Sequence, residues 1–62
     1  MNLTINGENR RISQVTNLRQ LLEQFQINPN SVVIEYNQAV VSRQELVLTS
    51  LKDGDKIEIS YE

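Results

Sequence analysis

The sequence contains no cysteine and no histidine among its 62 residues. Without cysteine the chain has no disulfide framework, and without histidine it lacks the commonest metal ligand and the commonest general base. These absences argue against a zinc site and against catalysis by a thiol or an imidazole. We therefore expect no metal, no cofactor and no catalytic residue.

The chain also has no long apolar run, and neither sign of charge dominates. No stretch approaches the roughly 20 apolar residues of a membrane-spanning helix, and Met1-Asn2-Leu3-Thr4 lacks the basic and apolar regions of a signal peptide. Six basic residues are spread among eight acidic ones, and the net charge is −2. We expect a cytoplasmic protein that binds neither nucleic acid nor a membrane.

The composition is sufficient for one small folded domain. Apolar residues make up 39% of the chain and charged residues 23%, which favours a small core over disorder. The sequence has no internal repeat, low-complexity tract or linker, so residues 1–62 are interpreted as a single domain. A chain this short buries only roughly 60% of the surface that it exposes when unfolded, so its stability margin is narrow.

Alternation of apolar and polar residues predicts a strand at the start of the chain. Met1, Leu3 and Ile5 alternate with polar residues, and Asn6-Gly7 follows as a strong hairpin signal. The return strand, roughly residues 9–13, carries two consecutive arginines that discourage pairing with another chain. We expect it at an edge of the sheet.

The same alternation predicts a strand at the other end. Ile57, Ile59 and Tyr61 alternate with polar residues, which indicates one buried and one solvated face. The segment Asp53-Gly54-Asp55 precedes this strand and predicts a turn with a positive φ at Gly54.

Between these strands lies one amphipathic helix. Thr16 or Asn17 can cap its start, and Gln20 lies three residues after Asn17 as in a capping box. The segment Asn28-Pro29-Asn30 is expected to end the helix. Its apolar residues recur at intervals of three and four and form one stripe that we assign to the core. They are Leu18, Leu21, Leu22 and Phe25.

A second hairpin follows the helix. Residues 32–36 are β-branched and aromatic, Asn37-Gln38 turns the chain, and residues 39–41 form a short return strand. With Val32, Ile34 and Tyr36 on the helix-facing side, Val33 is left on the open side. Residues 42–51 fit neither period, which indicates a short helical turn or a bent connection.

The order of these elements predicts an α+β fold, in which about four to five strands form a mixed sheet packed on one helix. The first and last strands are the most apolar, so we place them side by side and parallel at the centre, joined by right-handed crossovers. This arrangement is the β-grasp, or ubiquitin-like, fold. The predicted core consists of Leu3, Ile5, Leu18, Leu21, Leu22, Phe25, Ile34, Ile57 and Ile59.

Over its whole length the chain resembles the sulfur carrier proteins of thiamine biosynthesis, the ThiS-like branch of the ubiquitin-like proteins. Three stretches carry the resemblance: residues 1–8 (MNLTINGE), 33–43 (VIEYNQAVVSR) and 51–59 (LKDGDKIEI). The resemblance implies a carrier whose C-terminal Gly-Gly is adenylated by an activating enzyme, converted to a thiocarboxylate and offered to thiazole synthase. We expect such a carrier to be a monomer when free.

The sequence departs from that family pattern because it has no glycine after Gly54. Either the sequence stops short of the natural tail, or this is a relative that kept the scaffold without the chemistry. The second reading makes the chain a noncovalent β-grasp binding module. Within the carrier class, the small subunit of molybdopterin synthase is the alternative.

No residue set in the sequence indicates an enzyme. The available carboxylates, such as Glu35 and Glu58, are expected on the solvated face of the sheet. We instead predict that the last strand positions the end of the chain for an activating enzyme. The predicted partner-binding residues share the open face of the sheet: Val33, Glu58, Ser60, Tyr61 and Glu62.

Overall fold

Five strands and two helices make up the computed structural model of the chain, which describes residues 1–61. The strands are β1 (Asn2–Ile5), β2 (Glu8–Arg11), β3 (Val32–Tyr36), β4 (Ala39–Val41) and β5 (Lys56–Tyr61). The helices are α1 (Leu18–Gln24) and α2 (Arg43–Leu46), and a 3₁₀ turn spans Pro29–Ser31.

The strands form one mixed sheet in the order β2-β1-β5-β3-β4. β1 pairs with β5 in parallel, whereas β1–β2, β3–β4 and β3–β5 are antiparallel. The predicted α+β fold is confirmed, with the first and last strands parallel at the centre and a hairpin on each outer side. α1 covers one face of this sheet, and we call the other the open face.

The first hairpin turns at two residues in the left-handed region. Asn6 has a φ of 52° and Gly7 a φ of 81°, the conformation that favours Asn-Gly in two-residue hairpin turns. β2 lies at the sheet edge as expected, although it spans Glu8–Arg11 rather than residues 9–13.

Of the two hydrogen bonds of a capping box at the start of α1, one forms as predicted and the other has a different partner. The Asn17 side chain accepts a hydrogen bond from the Gln20 backbone N–H at 2.9 Å. The reciprocal bond does not return to Asn17, because Gln20 Oε1 accepts from the backbone N–H of Thr16 at 2.7 Å. The cap therefore also fixes the residue before the N-cap.

α1 ends before the proline that was expected to stop it. Gln26 adopts a φ of 59°, and its N–H donates to the carbonyl of Glu23 at 3.1 Å. The Ile27 N–H donates to the carbonyl of Leu22 at 2.9 Å. These two bonds form a Schellman motif, which satisfies the last carbonyls of the helix, and Pro29 instead begins the 3₁₀ turn.

The core lies between α1 and the helix-facing side of the sheet. Of the nine residues predicted to form it, eight are buried, and Phe25 is half-buried and packs against the others. Five further residues, Ile12, Val15, Val32, Leu46 and Leu51, complete the core. Several of these lie in segments without a clear period.

The segment that fitted neither period contains α2. Glu45 Oε1 accepts a hydrogen bond from the Ser42 backbone N–H at 3.0 Å, which fixes the first turn. Leu46 packs into the core with 3% of its surface exposed, whereas Val47 and Leu48 are 52% and 78% exposed. A short helical turn was therefore the correct expectation, and its apolar residues are divided between core and surface.

Leu22 provides the sharpest test of the helix face, because only 1% of its surface is exposed. Replacing it with alanine removes packed methyl groups and leaves a cavity, so Leu22→Ala should lower the free energy of unfolding by about 2–5 kcal/mol. The exposed Leu48 offers a control, since Leu48→Ala should change stability by less than about 0.5 kcal/mol. Urea unfolding measures both variants, and equal midpoints for the two would contradict this packing.

Candidate functional site

The terminal strand β5 lies in the middle of the sheet with a hydrogen-bonded neighbour on each side. It pairs with β1 through Ile5 and Ile57, and with β3 over its last five residues. Tyr61, the last residue of β5, still lies in register opposite Val32. The end of the described chain is therefore held by the sheet.

The turn before β5 is tied to the start of β1. Gly54 has a φ of 89°, as the Asp-Gly-Asp pattern predicted, and its N–H donates to the carbonyl of Asn2 at 2.7 Å. Asp53 Oδ1 accepts from the backbone N–H of Asn2 at 2.5 Å. These contacts fix where β5 enters the sheet.

Asp55 is buried in the turn before β5, and only 7% of its surface is exposed. Its carboxylate accepts hydrogen bonds from the Tyr36 hydroxyl at 2.5 Å, the Lys52 backbone N–H at 2.8 Å and the Asn37 side-chain amide at 3.4 Å. Burial raises the pKa of Asp55, but these hydrogen bonds outweigh it and the pKa lies below its usual range. Burial, together with the hydrogen bond and negative charge of Asp55, raises the pKa of Tyr36 to about 12.

Asn6 extends the support of β5 beyond the end of β1. The β1–β5 pairing stops at Ile5 and Ile57, yet Asn6 Oδ1 accepts a hydrogen bond from the Ile59 N–H at 2.7 Å. The side chain thus takes the place of the next backbone carbonyl. The sequence indicated a turn at Asn6, but nothing in the local pattern indicated a contact with a residue 53 positions away.

Three of the predicted partner-binding residues meet on the open face. Val33 lies opposite Ser60, and Glu58 lies two residues before Ser60 on the same strand face. Glu58 and Ser60 are exposed, and Val33 is 39% exposed. The structure therefore brings these side chains together as predicted, while their role in binding stays a prediction. Glu62 lies outside the described residues.

The assignment of Tyr61 to the open face is wrong. Side chains alternate along a strand, so Tyr61 shares its face with Ile57 and Ile59 and lies opposite Val32 on the helix-facing side. It is nevertheless 73% exposed. It lines an open cleft of about 320 Å³ together with Ile5, Asn6, Glu8, Arg10, Phe25, Ile27 and Ile59.

The charged residues of this cleft are already paired with each other. Arg10 Nη2 lies 3.2 Å from Glu8 Oε1, and the guanidinium carbon lies 5.8 Å from the centroid of the Phe25 ring. Such a cation–π contact helps to hold the half-buried ring. Sequence reasoning placed Arg10 at the sheet edge but missed its inward face, which the period of two could have indicated.

Within residues 1–61, no group of three or more acidic, histidine or cysteine side chains could hold a metal ion. No helix in that part of the chain is long and apolar enough to cross a membrane. The backbone of β5 is hydrogen-bonded on both sides. Its side chains alternate between the helix-facing side and the open face of the sheet.

A mixed five-stranded sheet with a parallel central pair and one covering helix defines a β-grasp protein. The model of the ThiS family matches residues 3–59. The chain therefore belongs to the ThiS family. This family consists of small sulfur carrier proteins rather than enzymes, and it confirms the expectation that the chain is not an enzyme.

Solved structures of a thiamine biosynthesis protein, ThiS, from Geobacter metallireducens are similar over the whole chain. The crystal structure has a TM-score of 0.90 at 32% identity, with 100% of this chain and 94% of that chain covered. The solution structure has a TM-score of 0.84 at 32% identity, and covers 100% of this chain and 83% of that chain.

Two proteins resemble this chain in sequence, at 34% and 33% identity. A thiazole synthase of Paramagnetospirillum magneticum is 34% identical over 59 residues, which are 95% of this chain but only 18% of that protein. The uncharacterized protein ycf40 of Trieres chinensis is 33% identical over 55 residues, 89% of this chain and 75% of that protein. The chain thus corresponds to a small segment of the first relative and to most of the second.

The contact between Asn6 and β5 can be tested by one substitution that removes the side-chain acceptor and one that keeps it. Asn6→Ala leaves the buried Ile59 N–H without its acceptor and places alanine in the left-handed region, so it should lower the free energy of unfolding by roughly 1–3 kcal/mol. Asn6→Asp keeps an acceptor and should restore most of this loss. Amide hydrogen exchange at Ile59 is the direct measurement, and unchanged protection in Asn6→Ala would contradict the contact.

The Asp55 carboxylate should make stability depend on acid pH. Its pKa is lower in the folded chain than in the unfolded chain, where an aspartate titrates near about 3.9. Its contribution is therefore fully present above about pH 4 and is lost as the pH falls through the lower folded value. Asp55→Asn should lower stability at neutral pH and reduce its fall in acid. The midpoints of urea unfolding at neutral pH and in acid measure both effects. An equally steep loss of stability in acid in the variant would contradict this prediction.

Proposed function

We propose that this chain acts as the sulfur carrier of thiazole formation, with a C-terminal carboxylate that is adenylated and then converted to a thiocarboxylate. Membership of the ThiS family supports the thiamine pathway over the molybdopterin pathway. In the first step the carboxylate attacks the α-phosphate of ATP and releases pyrophosphate. Sulfide-level sulfur then attacks the acyl carbon of the adenylate and displaces AMP, which leaves the thiocarboxylate.

The observation that carries this proposal is the central position of β5. Its last described residue is still in register with β3, and Asn6 holds Ile59 on the other side. A strand fixed on both sides is a rigid base for whatever follows it. Each further residue can extend the chain by about 3.3–3.6 Å, so a short tail would reach into an enzyme cleft.

Adenylation in a narrow active site requires that the last residues of the carrier have no bulky side chains. Glycine lets a backbone pass closely through a narrow active site because it has no side chain, and the 62-residue sequence has no glycine after Gly54. The adenylation proposal therefore concerns the chain carrying a Gly-Gly tail. Without such a tail, the same scaffold would serve as a noncovalent binding module.

The proposed partners are an adenylating enzyme and thiazole synthase. A relative that bears the name thiazole synthase contains a segment 34% identical to this chain, which supports that enzyme as a partner. We propose that the free carrier is a cytoplasmic monomer. β2 carries two arginines at one sheet edge and β4 has only three residues at the other, and both features oppose strand pairing between copies.

We therefore expect adenylation to depend on the tail. The 62-residue chain mixed with ATP and a thiamine-pathway adenylating enzyme should fold but form no AMP adduct, while the chain extended by a short tail ending in Gly-Gly should form one. A tail of equal length ending in Val-Val serves as the control and should fail. Mass spectrometry detects the adduct.

Failure of the Gly-Gly form with adenylating enzymes of both the thiamine and molybdopterin pathways would remove support for the carrier. The noncovalent binding module would then be the preferred function. Adenylation by a molybdopterin enzyme alone would assign the carrier to the other pathway.

A further inference from the structure

The two hairpin turns of the sheet each hold the central strand β5 through an asparagine. Asn6 follows β1 with a φ of 52°, and Asn37 follows β3 with a φ of 50°. Asn6 Oδ1 accepts a hydrogen bond from the Ile59 N–H at 2.7 Å. Asn37 Oδ1 accepts one from the Lys56 N–H at 2.9 Å. The backbone N–H groups of the two asparagines also donate to carbonyls of β5, at 2.9 Å and 2.8 Å.

These two side-chain contacts lie toward opposite ends of β5. Asn37 bonds to Lys56, the first residue of the strand, whereas Asn6 bonds to Ile59, two residues before Tyr61. A strand rises about 3.3 Å per residue, so Lys56 lies roughly 17 Å from Tyr61. Asn37 therefore secures the entry of β5 into the sheet, and Asn6 secures the part from which the strand leaves it.

Past Ile59, β5 has a strand on one side only. Its pairing with β3 continues to Tyr61, which lies opposite Val32. Its pairing with β1 stops at Ile57, and the bond from Ile59 to Asn6 is the last one between the first hairpin and β5 in the described part of the chain. Beyond this bond, that side of β5 borders the open cleft of about 320 Å³. A strand end that is paired on one side can swing about that side, so Asn6 is the last restraint on its direction.

We propose that Asn6 is a positioning residue of the carrier, which fixes the direction in which β5 leaves the sheet and so aligns a reactive tail with ATP in the adenylating enzyme. This inference rests on the proposed function and assigns one residue to the adenylation step. Asn6 touches none of the reacting atoms and acts through Ile59. The chemical step is unchanged: the tail carboxylate attacks the α-phosphate of ATP, and pyrophosphate leaves.

The direction of the strand end matters because a tail amplifies any error in it. Each tail residue adds about 3.3–3.6 Å, so a small rotation at Ile59 displaces a distant carboxylate further than it displaces Tyr61. A misplacement of about 1 Å can slow a positioned reaction by about a hundredfold. Glycines in the tail recover part of the alignment because they adopt many conformations, so we expect a loss of about tenfold.

The test compares Asn6→Gly with Asn37→Gly in the tail-extended carrier. Glycine adopts a positive φ without strain, so each substitution keeps the turn and removes the side-chain acceptor. Single-turnover adenylation with a thiamine-pathway enzyme in excess gives the rate constant of the chemical step and the half-saturating enzyme concentration. Asn6→Gly should lower the rate constant by about tenfold and leave the half-saturating concentration within about twofold of the wild-type value.

Asn37→Gly is the matched control for stability. Asn37 also donates to the Asp55 carboxylate at 3.4 Å, so its loss should reduce stability at least as much as the loss of the Asn6 side chain. Urea unfolding measures both variants, and the assay temperature is one at which each is folded. Asn37→Gly should then adenylate at the wild-type rate, because the exit of β5 is intact.

A conservative variant and a measurement without enzyme complete the test. Asn6→Asp keeps an acceptor at the same position, so its adenylation rate constant should lie within about threefold of the wild-type value. Amide ¹⁵N relaxation in the 62-residue chain reports the order of the Ser60 and Tyr61 backbone. Asn6→Gly should lower these order parameters, whereas Asn37→Gly should leave them unchanged. If Asn6→Gly does not fold, Asn6→Ser replaces it, because the serine hydroxyl is one bond nearer the backbone and should give a smaller loss of the same kind.

The outcomes separate this inference from the proposed function. If the wild-type carrier is adenylated and the folded Asn6→Gly or Asn6→Ser variant reacts at the same rate, the positioning role is wrong and the carrier function stands. An equal loss of rate in Asn37→Gly would assign the effect to stability and would also overturn the role, as would unchanged order at Ser60 and Tyr61. If the wild-type tail-extended carrier is not adenylated, both proposals fail.

Discussion

In the sheet that residues 1–61 form, strand pairing links the two hairpins only through β5. The β1–β2 hairpin lies on one side of that strand and the β3–β4 hairpin on the other, so neither hairpin is hydrogen-bonded to the other directly. Because β5 is the last of the described strands, the sheet is complete only when residues 56–61 enter it. The buried turn at Asp55 and the side chain of Asn6 secure this strand at its start and beyond the end of β1.

A single helix can cover only one side of such a sheet. The apolar stripe of α1 packs on the side that carries Ile57 and Ile59, and this packing supplies most of the core. The elements of residues 1–61 include none that covers the second side. The side chains of the open face therefore add little to the core that α1 and the sheet form.

Local patterns predicted those parts of the fold that depend on period and turn chemistry. Alternation located β1 and β5, the three-and-four spacing located α1, and Asn6 and Gly54 marked turns that the structure contains. The end of α1 was missed because the left-handed position is occupied by Gln26, a residue type with no preference for it. The proline two residues beyond Ile27 was the stronger local signal, and it lies in the next element.

The remaining differences concern contacts between distant residues. Nothing near Asp55 indicates that its carboxylate meets Tyr36, and nothing near Asn6 indicates that it meets Ile59. Tyr61 is a different case, because its period already assigned it to the helix-facing side. The expected open-face position of Tyr61 is wrong because Tyr61 lies in register with Val32 on the helix-facing side.

β5 is the structural centre of the sheet, and it can also be the base of the proposed tail, because the two roles use different atoms. Its backbone groups bond to β1 and β3, its helix-facing side chains Ile57 and Ile59 pack in the core, and Glu58 and Ser60 face solvent. A partner that contacts the open-face side chains therefore disturbs neither the backbone hydrogen bonds nor the core. The period of two along β5 separates the side chains that pack in the core from those that the proposed function assigns to recognition.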